Sequence, residues 1–201
     1  AISMLADRYK DGVGVKQSDK KTIELYEMAA ERGGASAQYN LGQFYSQGIH
    51  GLTQSFKRAI EYFTLAANQG YANAQYNLGV YYDGGTCGLT QSDKKAIELY
   101  EMAAKGGQAT AQYNLGVYYD QGTHGVTQSS TRAIEYYTLA AEQGYAPAQL
   151  NLGVMYATGE GVEQSDSKAR ELWTKAAAQG HEGAIKGLKT LDEFSDLELG
   201  E

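Results

Sequence analysis

The stretch AQYNLG at residues 37–42 decides the fold, because it returns at a fixed interval along the chain. Its later copies are AQYNLG at 74–79, AQYNLG at 111–116 and AQLNLG at 148–153. A period of 37 residues, built from two amphipathic segments, predicts a helical solenoid whose units must stack because none can bury its apolar face alone. The repetition therefore favours a binding role over catalysis.

Each repeat contains two stretches with apolar residues at helical spacing. In the second repeat we expect a first helix, helix A, at about 36–47 and a second, helix B, at about 56–69. Gly48 and Gly70 end these helices, because glycine adopts the left-handed conformation without a Cβ penalty. Ser55 precedes helix B and can accept a hydrogen bond from its free N–H groups. The predicted fold class is all-α, an α/α solenoid of about five helix pairs plus a C-terminal capping helix.

The repeats also set the expected domain boundaries. We predict one solenoid over residues 1–191, followed by an acidic tail at 192–201. The approximate limits are 1–33, 34–70, 71–107, 108–144 and 145–180 for the repeats, and 181–191 for the capping helix. The tail holds five of the 24 acidic residues, which leaves 19 acids against 17 basic residues elsewhere. Such a tail is expected to be solvated or disordered.

Composition narrows the functional classes. Apolar runs are far shorter than the roughly 20 residues of a membrane-spanning helix, which favours a soluble protein. The net charge of −7 argues against a general nucleic-acid surface, since phosphate binding requires clustered Lys and Arg. The single cysteine, Cys87, cannot form an internal disulfide and gives a weak preference for a reducing compartment.

One glycine recurs inside every full AQxNLG helix, where it should cost about 0.5 to 1 kcal/mol relative to alanine. A cost repeated in four helices requires a compensation. We expect it to be a close approach of helix A to helix B, with the glycine facing an Ala-Ala pair such as Ala66-Ala67. The glycines are Gly42, Gly79, Gly116 and Gly153.

The pattern A-x-x-x-L-G-x-x-Y-x-x-G, followed by a loop and K/R-A-x-x-x-(Y/W)-x-x-A-A-x-x-G, resembles the Sel-one-like repeat (SLR) family, which is related to tetratricopeptide repeats. Residues 36–48 and 58–70 and their counterparts carry the resemblance. It implies helix pairs coiled into a right-handed superhelix and a role as an adaptor or scaffold. The middle repeats depart from the family pattern through one inserted loop residue, and the usual helix B tryptophan occurs only as Trp173.

A second period of 74 residues overlies the first. Residues 19–30 return nearly unchanged at 93–104, so the repeats alternate in type. Duplication of a two-repeat block is the simpler explanation. The other is a partner whose contacts recur at every second repeat.

Catalytic and metal sites are not predicted. His50, Cys87 and His124 share one loop position in consecutive repeats, but equivalent positions cannot converge on one zinc ion at the roughly 2.0 to 2.3 Å that its ligands require. No serine has a nucleophile context. The glutamates that recur on helix B, such as Glu24, are expected to pair with lysines such as Lys20 four residues earlier. We therefore predict no catalytic residue, no metal and no cofactor.

The candidate binding site is the concave face of the helix A array. Tyrosines there would offer a large contact area with one polar tip, and the aspartates would favour a basic ligand segment. The alternative is that the tyrosines pack between neighbouring A helices and only complete the core. Asn40, Asn77, Asn114 and Asn151 are expected to bridge backbone groups between repeats. The predicted site residues are Tyr39, Gln43, Ser46, Tyr76, Val80, Asp83, Tyr113, Val117 and Asp120.

The leading functional hypothesis is a non-enzymatic scaffold that holds a partner protein or peptide along this face, with no nucleic acid and no membrane insertion. The first alternative is an architectural subunit that docks by its convex side or loop edge. The second is a secreted hydrolase-like repeat protein, as the resemblance includes a cysteine-rich bacterial branch. The paired cysteines of that branch are absent here.

Overall fold

The computed structural model describes the backbone of residues 1–199 and the side chains of residues 1–193. This part of the chain contains eleven α-helices and no strand, which confirms the predicted all-α class. The helices are α1 (Ile2–Asp11), α2 (Asp19–Glu31), α3 (Ala35–Gln47), α4 (Phe56–Asn68), α5 (Ala72–Gly84), α6 (Asp93–Lys105), α7 (Ala109–Gln121), α8 (Ser130–Glu142), α9 (Ala146–Thr158), α10 (Asp166–Ala177) and α11 (Glu182–Leu199).

Odd-numbered helices are the A helices and even-numbered helices the B helices. The chain forms two compact units, Ala1–Gly107 with α1 to α6 and Gln108–Glu201 with α7 to α11. Within each unit every helix packs against its neighbours in sequence. Among the described helices, none combines the length and apolar character that crossing a membrane requires.

The predicted helix starts and stops are confirmed. Ser55 Oγ accepts a hydrogen bond from the N–H of Arg58 at 3.4 Å, which satisfies one of the free donors at the start of α4. Gly48 and Gly70 have φ of 67° and 81°, the left-handed conformation expected after a helix. The same serine cap precedes the other B helices, at Ser18, Ser92, Ser129 and Ser165.

The glycine inside helix A faces an aromatic ring of helix B. A Cβ on Gly116 would lie 2.6 Å from Cδ1 and Cε1 of Tyr137, and a Cβ on Gly42 would lie 2.7 Å from the ring of Phe63. The expected close approach exists, but the partner that we predicted, the Ala-Ala pair, is wrong. A flat ring needs a flat surface on the opposing helix, which a glycine provides. The other pairs are Gly79 with Tyr100 and Gly153 with Trp173.

These rings are the centres of the cores. In the first unit the ring of Phe63 is fully buried, together with Leu41 on α3. In the second unit Tyr137 has no exposed surface, and Trp173 packs against Ala184 of α11. The clusters around Tyr26, Phe63 and Tyr137 each include residues of two successive repeats, and the cluster around Trp173 includes Ala184 of α11.

A buried glutamine joins each of α3, α5 and α9 to the preceding helix B. Gln38 is 5% exposed, and its Nε2 donates to the carbonyl of Ala30 at 3.2 Å, near the end of α2. Its Oε1 accepts from Nε2 of Gln69 at 2.6 Å. In the second unit Gln149 forms the same pair of bonds with Ala141 and Gln179. The last carbonyls of a helix have no partner within the helix, so the glutamine satisfies one of them and ties the repeats together.

One of these glutamines, Gln75, forms only the first of the two hydrogen bonds. Gln75 Nε2 donates to the carbonyl of Ala67 at 3.1 Å, but its buried Oε1 accepts no hydrogen bond. Gly106 occupies the position that Gln69 holds one repeat earlier. A Cβ on Gly106 would lie 2.7 Å from the Cβ of Ala72, so the backbone approaches α5 too closely for a glutamine.

The last helix, α11, continues past the predicted end of the capping helix at 191 and reaches Leu199. Ala184 is buried, and Leu188 and Leu191 pack against the same cluster as Trp173. Of the predicted acidic tail at 192–201, residues 200 and 201 lie outside the described residues. The domain limits given above therefore remain a prediction.

The glycine contact predicts the effect of filling it. Gly116→Leu places a side chain where the buried Tyr137 ring already lies, and overpacking of this kind costs about 1 to 3 kcal/mol. We expect a lower urea midpoint and a lower Tm. Gln121→Leu on the same helix is the control, since Gln121 is exposed and the change should leave both values nearly unaltered. Equal stability of the two variants would contradict the assignment of this seam.

Candidate functional site

The nine predicted site residues lie on three A helices, α3, α5 and α7. Those on α3 and α5 belong to the first unit, and those on α7 belong to the second. Val80 is exposed and the other eight are half-buried. The stretch of each A helix that does not face the core therefore presents these side chains to solvent in part, and each unit offers its own portion of the candidate face.

Tyr39 shows how the tyrosines are held. Its ring centroid lies 5.7 Å from that of Phe63 and 5.1 Å from that of Tyr71, and Gln43 Nε2 donates to its hydroxyl at 2.6 Å. Burial, and then the neighbouring Tyr71, raise the pKa of Tyr39, while hydrogen bonds with Asn77 and Gln43 lower it. One side of the ring therefore packs in the seam between two repeats, and the rest remains partly accessible.

Tyr113 repeats this arrangement in the second unit. Its ring lies 5.9 Å from Tyr137 and 5.3 Å from Tyr145. Tyr76 lies 5.8 Å from Tyr100, and the residue 32 positions after it in the sequence is Gln108, where Tyr39 and Tyr113 have Tyr71 and Tyr145. Tyrosine therefore occupies this position in every second repeat.

The aspartates of the site accept hydrogen bonds from tyrosines of their own repeats. The Tyr100 hydroxyl donates to Asp83 Oδ2 at 3.5 Å, and the Tyr137 hydroxyl donates to Asp120 Oδ2 at 3.4 Å. Burial, and then the charge of Glu160, raise the pKa of Asp120, although the Tyr137 hydrogen bond lowers it. These carboxylates orient the core tyrosines and place acidic side chains on the face.

The recurring asparagines contact tyrosine hydroxyls. Asn151 Nδ2 donates to the Tyr137 hydroxyl at 3.2 Å, and this bond opposes the effect of burial on the pKa of Tyr137, which is raised overall. A hydrogen bond with Asn40 similarly lowers the raised pKa of Tyr26. The expected role between repeats is therefore found, but the partners include side-chain hydroxyls where we expected backbone groups.

The inserted loop residues are in the left-handed conformation, with φ of 55° at His50, 58° at Cys87 and 56° at His124. His50 Nδ1 lies 2.6 Å from Asp19 Oδ1 of the preceding repeat. The ring of His124 stacks on Tyr118 with 3.9 Å between centroids. Within the described residues, no group of three or more His, Cys, Asp or Glu side chains lies close enough to hold a metal ion.

A cation lies over a tyrosine ring in each of the five repeats, and sequence reasoning missed this. The cation is the third residue of helix B and the tyrosine is in the last turns of helix A. A cation–π contact of this kind contributes about 0.5 to 1 kcal/mol at an exposed site. The pairs and their distances to the ring centroid are Lys21–Tyr9 at 4.8 Å, Arg58–Tyr45 at 5.1 Å, Lys95–Tyr82 at 4.7 Å, Arg132–Tyr119 at 4.6 Å and Lys168–Tyr156 at 4.8 Å.

The identity of the cation explains part of the 74-residue period. In the second repeat Arg58 donates to the Tyr45 hydroxyl at 2.7 Å, and Tyr45 stacks on Tyr62 at an interplanar angle of 8°. Where the cation is lysine, as in the third repeat, the position of Tyr62 is occupied by Leu99. Arginine and a stacked tyrosine pair therefore alternate with lysine and leucine. The signal in the sequence is the joint change at these two positions.

The raised pKa of Asp120 predicts a pH-dependent stability. A carboxyl whose folded pKa lies above its unfolded value opposes folding once it ionises, so its cost grows as pH rises above about 3.9, the ordinary value for aspartate. Asp120→Asn keeps an acceptor for Tyr137 without the charge. We expect the variant to have a higher Tm than the wild type at pH 7, and the difference to shrink by pH 3.5.

Glu98→Gln is the matched control, since Glu98 is exposed. Thermal melts of the three proteins across that pH range provide the measurement. A Tm difference between the wild type and Asp120→Asn that stays constant with pH would contradict the assigned surroundings of Asp120.

Comparison with known proteins follows the same repeat pattern. The Sel1 repeat matches the chain at residues 1–34, 35–71, 72–108, 109–145 and 146–181. No curated protein matches the chain. A crystal structure of a Sel1 repeat protein from Oxalobacter formigenes is similar, with 33% identity and a TM-score of 0.84 over 94% of this chain and 76% of that one.

Two further structures show similarity. A protective antigen present in uropathogenic Escherichia coli strains, with an SLR fold, is 30% identical with a TM-score of 0.85, and the match covers 94% of this chain and 40% of that one. A Sel1 repeat protein from Klebsiella pneumoniae is 20% identical with a TM-score of 0.53 over 95% and 91% of the two chains, which shows a common fold alone. The five matched repeats cover nearly the whole sequence, and the chain belongs to the Sel1 repeat family.

Proposed function

We propose that this protein is a non-enzymatic interaction scaffold that binds a partner protein or peptide through the exposed face of its A helices. Sel1 repeat proteins generally mediate protein–protein interaction, and members of the family are typically scaffolds without catalytic activity. Membership of the Sel1 repeat family supports a role in protein–protein interaction. The binding face and the partner are the proposal.

The observation that supports the face is the fixed position of its half-buried tyrosines. The Tyr39 ring packs against Tyr71 on one side, and its hydroxyl is bonded to Gln43. A side chain held in this way loses little conformational entropy when a partner covers it. Tyrosine also combines a large apolar area with a polar tip, which suits contact with an extended peptide or a helix.

The charge on the face supports a partner that carries a basic segment. Asp83 and Asp120 accept hydrogen bonds from tyrosines of the same repeats, and both residues are half-buried. A lysine or arginine of the partner can approach the half-buried Asp120, whereas Oδ1 of Asp83 is buried. Complementary charge would increase the association rate and select among partners more than it would increase affinity.

The proposal predicts the effect of removing the tyrosine rings. The double variant Tyr76→Ala, Tyr113→Ala, with one change in each unit, should lose capture of its partner from an extract of the source cells. Its helicity by circular dichroism should be unchanged. Quantitative mass spectrometry of the captured proteins, followed by cross-linking of each candidate to the scaffold, would identify the partner and its contact residues.

The matched control is Tyr76→Phe with Tyr113→Phe, which keeps both rings and removes only the hydroxyl groups. We expect this variant to retain most of the captured partner, because the proposed contact area is that of the ring. A double alanine variant that captures the same proteins as the wild type would contradict the A-helix face. Cross-links confined to loops or B helices would instead support an architectural subunit that docks by its other side.

A further inference from the structure

The B helices of the first unit carry an exposed apolar side chain at one repeated position. Met28 on α2 is 43% exposed, Leu65 on α4 is 50% exposed and Met102 on α6 is 49% exposed. On α2 this position lies on the side opposite the buried residues Tyr26 and Ala30. The three side chains therefore point outward from successive repeats, and we call them the B-helix stripe.

The stripe is more regular than the scattered apolar residues found on any protein surface. The residue type at a neighbouring exposed position changes from repeat to repeat. That position holds Glu31 in the first repeat, Asn68 in the second and Lys105 in the third. The stripe position stays apolar in both kinds of repeat. In the second unit the counterparts are Leu139, which is 46% exposed, and Lys175, which forms an ion pair with Glu171 at 2.6 Å.

Acidic residues flank the stripe. An exposed glutamate lies four residues before each apolar side chain, at Glu24, Glu61 and Glu98. Glu31 and Glu101 add exposed carboxylates on α2 and α6. Glu24 forms an ion pair with Lys20 at 3.9 Å, and a pair between exposed groups of this kind is weak. Near the stripe the exposed basic residues are Arg32, directly after α2, and Lys105 at the end of α6. The exposed Lys20, Lys57 and Lys94 lie one turn before the three glutamates, towards the starts of the helices.

We propose that the B-helix stripe is a second docking surface, which binds an amphipathic helical segment of a partner protein with apolar residues on one face and Lys or Arg beside them. Apolar residues at i, i+3, i+4 and i+7 of such a helix would cover the stripe, while its basic residues meet the glutamates. Two of the three stripe residues are methionines, whose flexible side chains adapt to a partner surface. The proposal goes beyond the A-helix face and does not depend on it.

A second copy of this chain is a poorer occupant. Two stripes placed face to face would bring the glutamates of one copy against those of the other, and like charges in contact oppose association. The geometry therefore favours a partner of opposite charge over self-association.

The test uses three labelled peptides of about 18 residues, or five helical turns. The first contains Leu and Lys in an amphipathic helical pattern, the second has Glu at every Lys position, and the third is a scramble of the first. Fluorescence anisotropy with the full chain at low salt measures binding. We expect the Leu/Lys helix to bind and the other two peptides to bind at least about tenfold more weakly.

The stripe variant is Met28→Gln, Leu65→Gln, Met102→Gln, which removes the apolar surface, keeps all charges and retains good helix formers. The matched control, Met4→Gln, Val154→Gln, Ile185→Gln, removes three other exposed apolar side chains. The stripe variant should bind the Leu/Lys peptide about tenfold more weakly, and the control should bind it as the wild type does. Circular dichroism melts check that both variants remain folded.

The outcomes separate the possibilities. Equal binding of the peptide by the stripe variant and the wild type would overturn the proposal, and so would equal binding of the Glu peptide. A wild-type dimer in sedimentation analysis that the stripe variant abolishes would identify a second copy as the occupant and would likewise overturn it. The double variant Tyr76→Ala, Tyr113→Ala should bind the peptide normally, so failure of either surface is recognised independently.

Discussion

The contact between a glycine of helix A and an aromatic ring of helix B is the constraint on which each repeat depends. With Gly116 against Tyr137, the helix backbone lies close to the face of the ring, and no side chain fits between them. The glycine costs helix stability, but the ring that it accommodates is fully buried and contacts the next repeat as well. The contact therefore brings A and B together and also places the surface on which the next helix packs.

Hydrogen bonds of polar side chains also connect successive repeats. Gln38 and Gln149 each bond a carbonyl near the end of the preceding B helix, and asparagines such as Asn151 bond buried tyrosine hydroxyls. These bonds satisfy groups that burial would otherwise leave without partners, which is costly in an apolar environment. The Oε1 of Gln75 accepts no hydrogen bond, because Gly106 stands where the repeat before it has Gln69, which donates to Gln38.

Two surfaces lie outside the packed core and its hydrogen bonds, and they differ in how firmly their side chains are held. The A-helix face presents tyrosines that are half-buried and fixed by neighbours, as Tyr39 is by Tyr71 and Gln43. The B-helix stripe presents flexible apolar side chains such as Met28 among solvated glutamates. A rigid aromatic surface suits selective recognition, whereas a flexible apolar one adapts to its partner. A scaffold with both surfaces could hold two partners at once.

The sequence by itself determined the repeat length, the helix boundaries and the caps, because these depend on local spacing and on the conformational preferences of residues such as Ser55 and Gly48. It also indicated the A-helix positions that lie partly outside the core. It did not reveal that Gly116 faces a ring, that Gln38 bonds a helix end or that Arg58 lies over Tyr45. Those facts depend on which side chains meet across helices, and only the tertiary structure decides that, since residues of the same type can be core or surface according to the neighbour they meet.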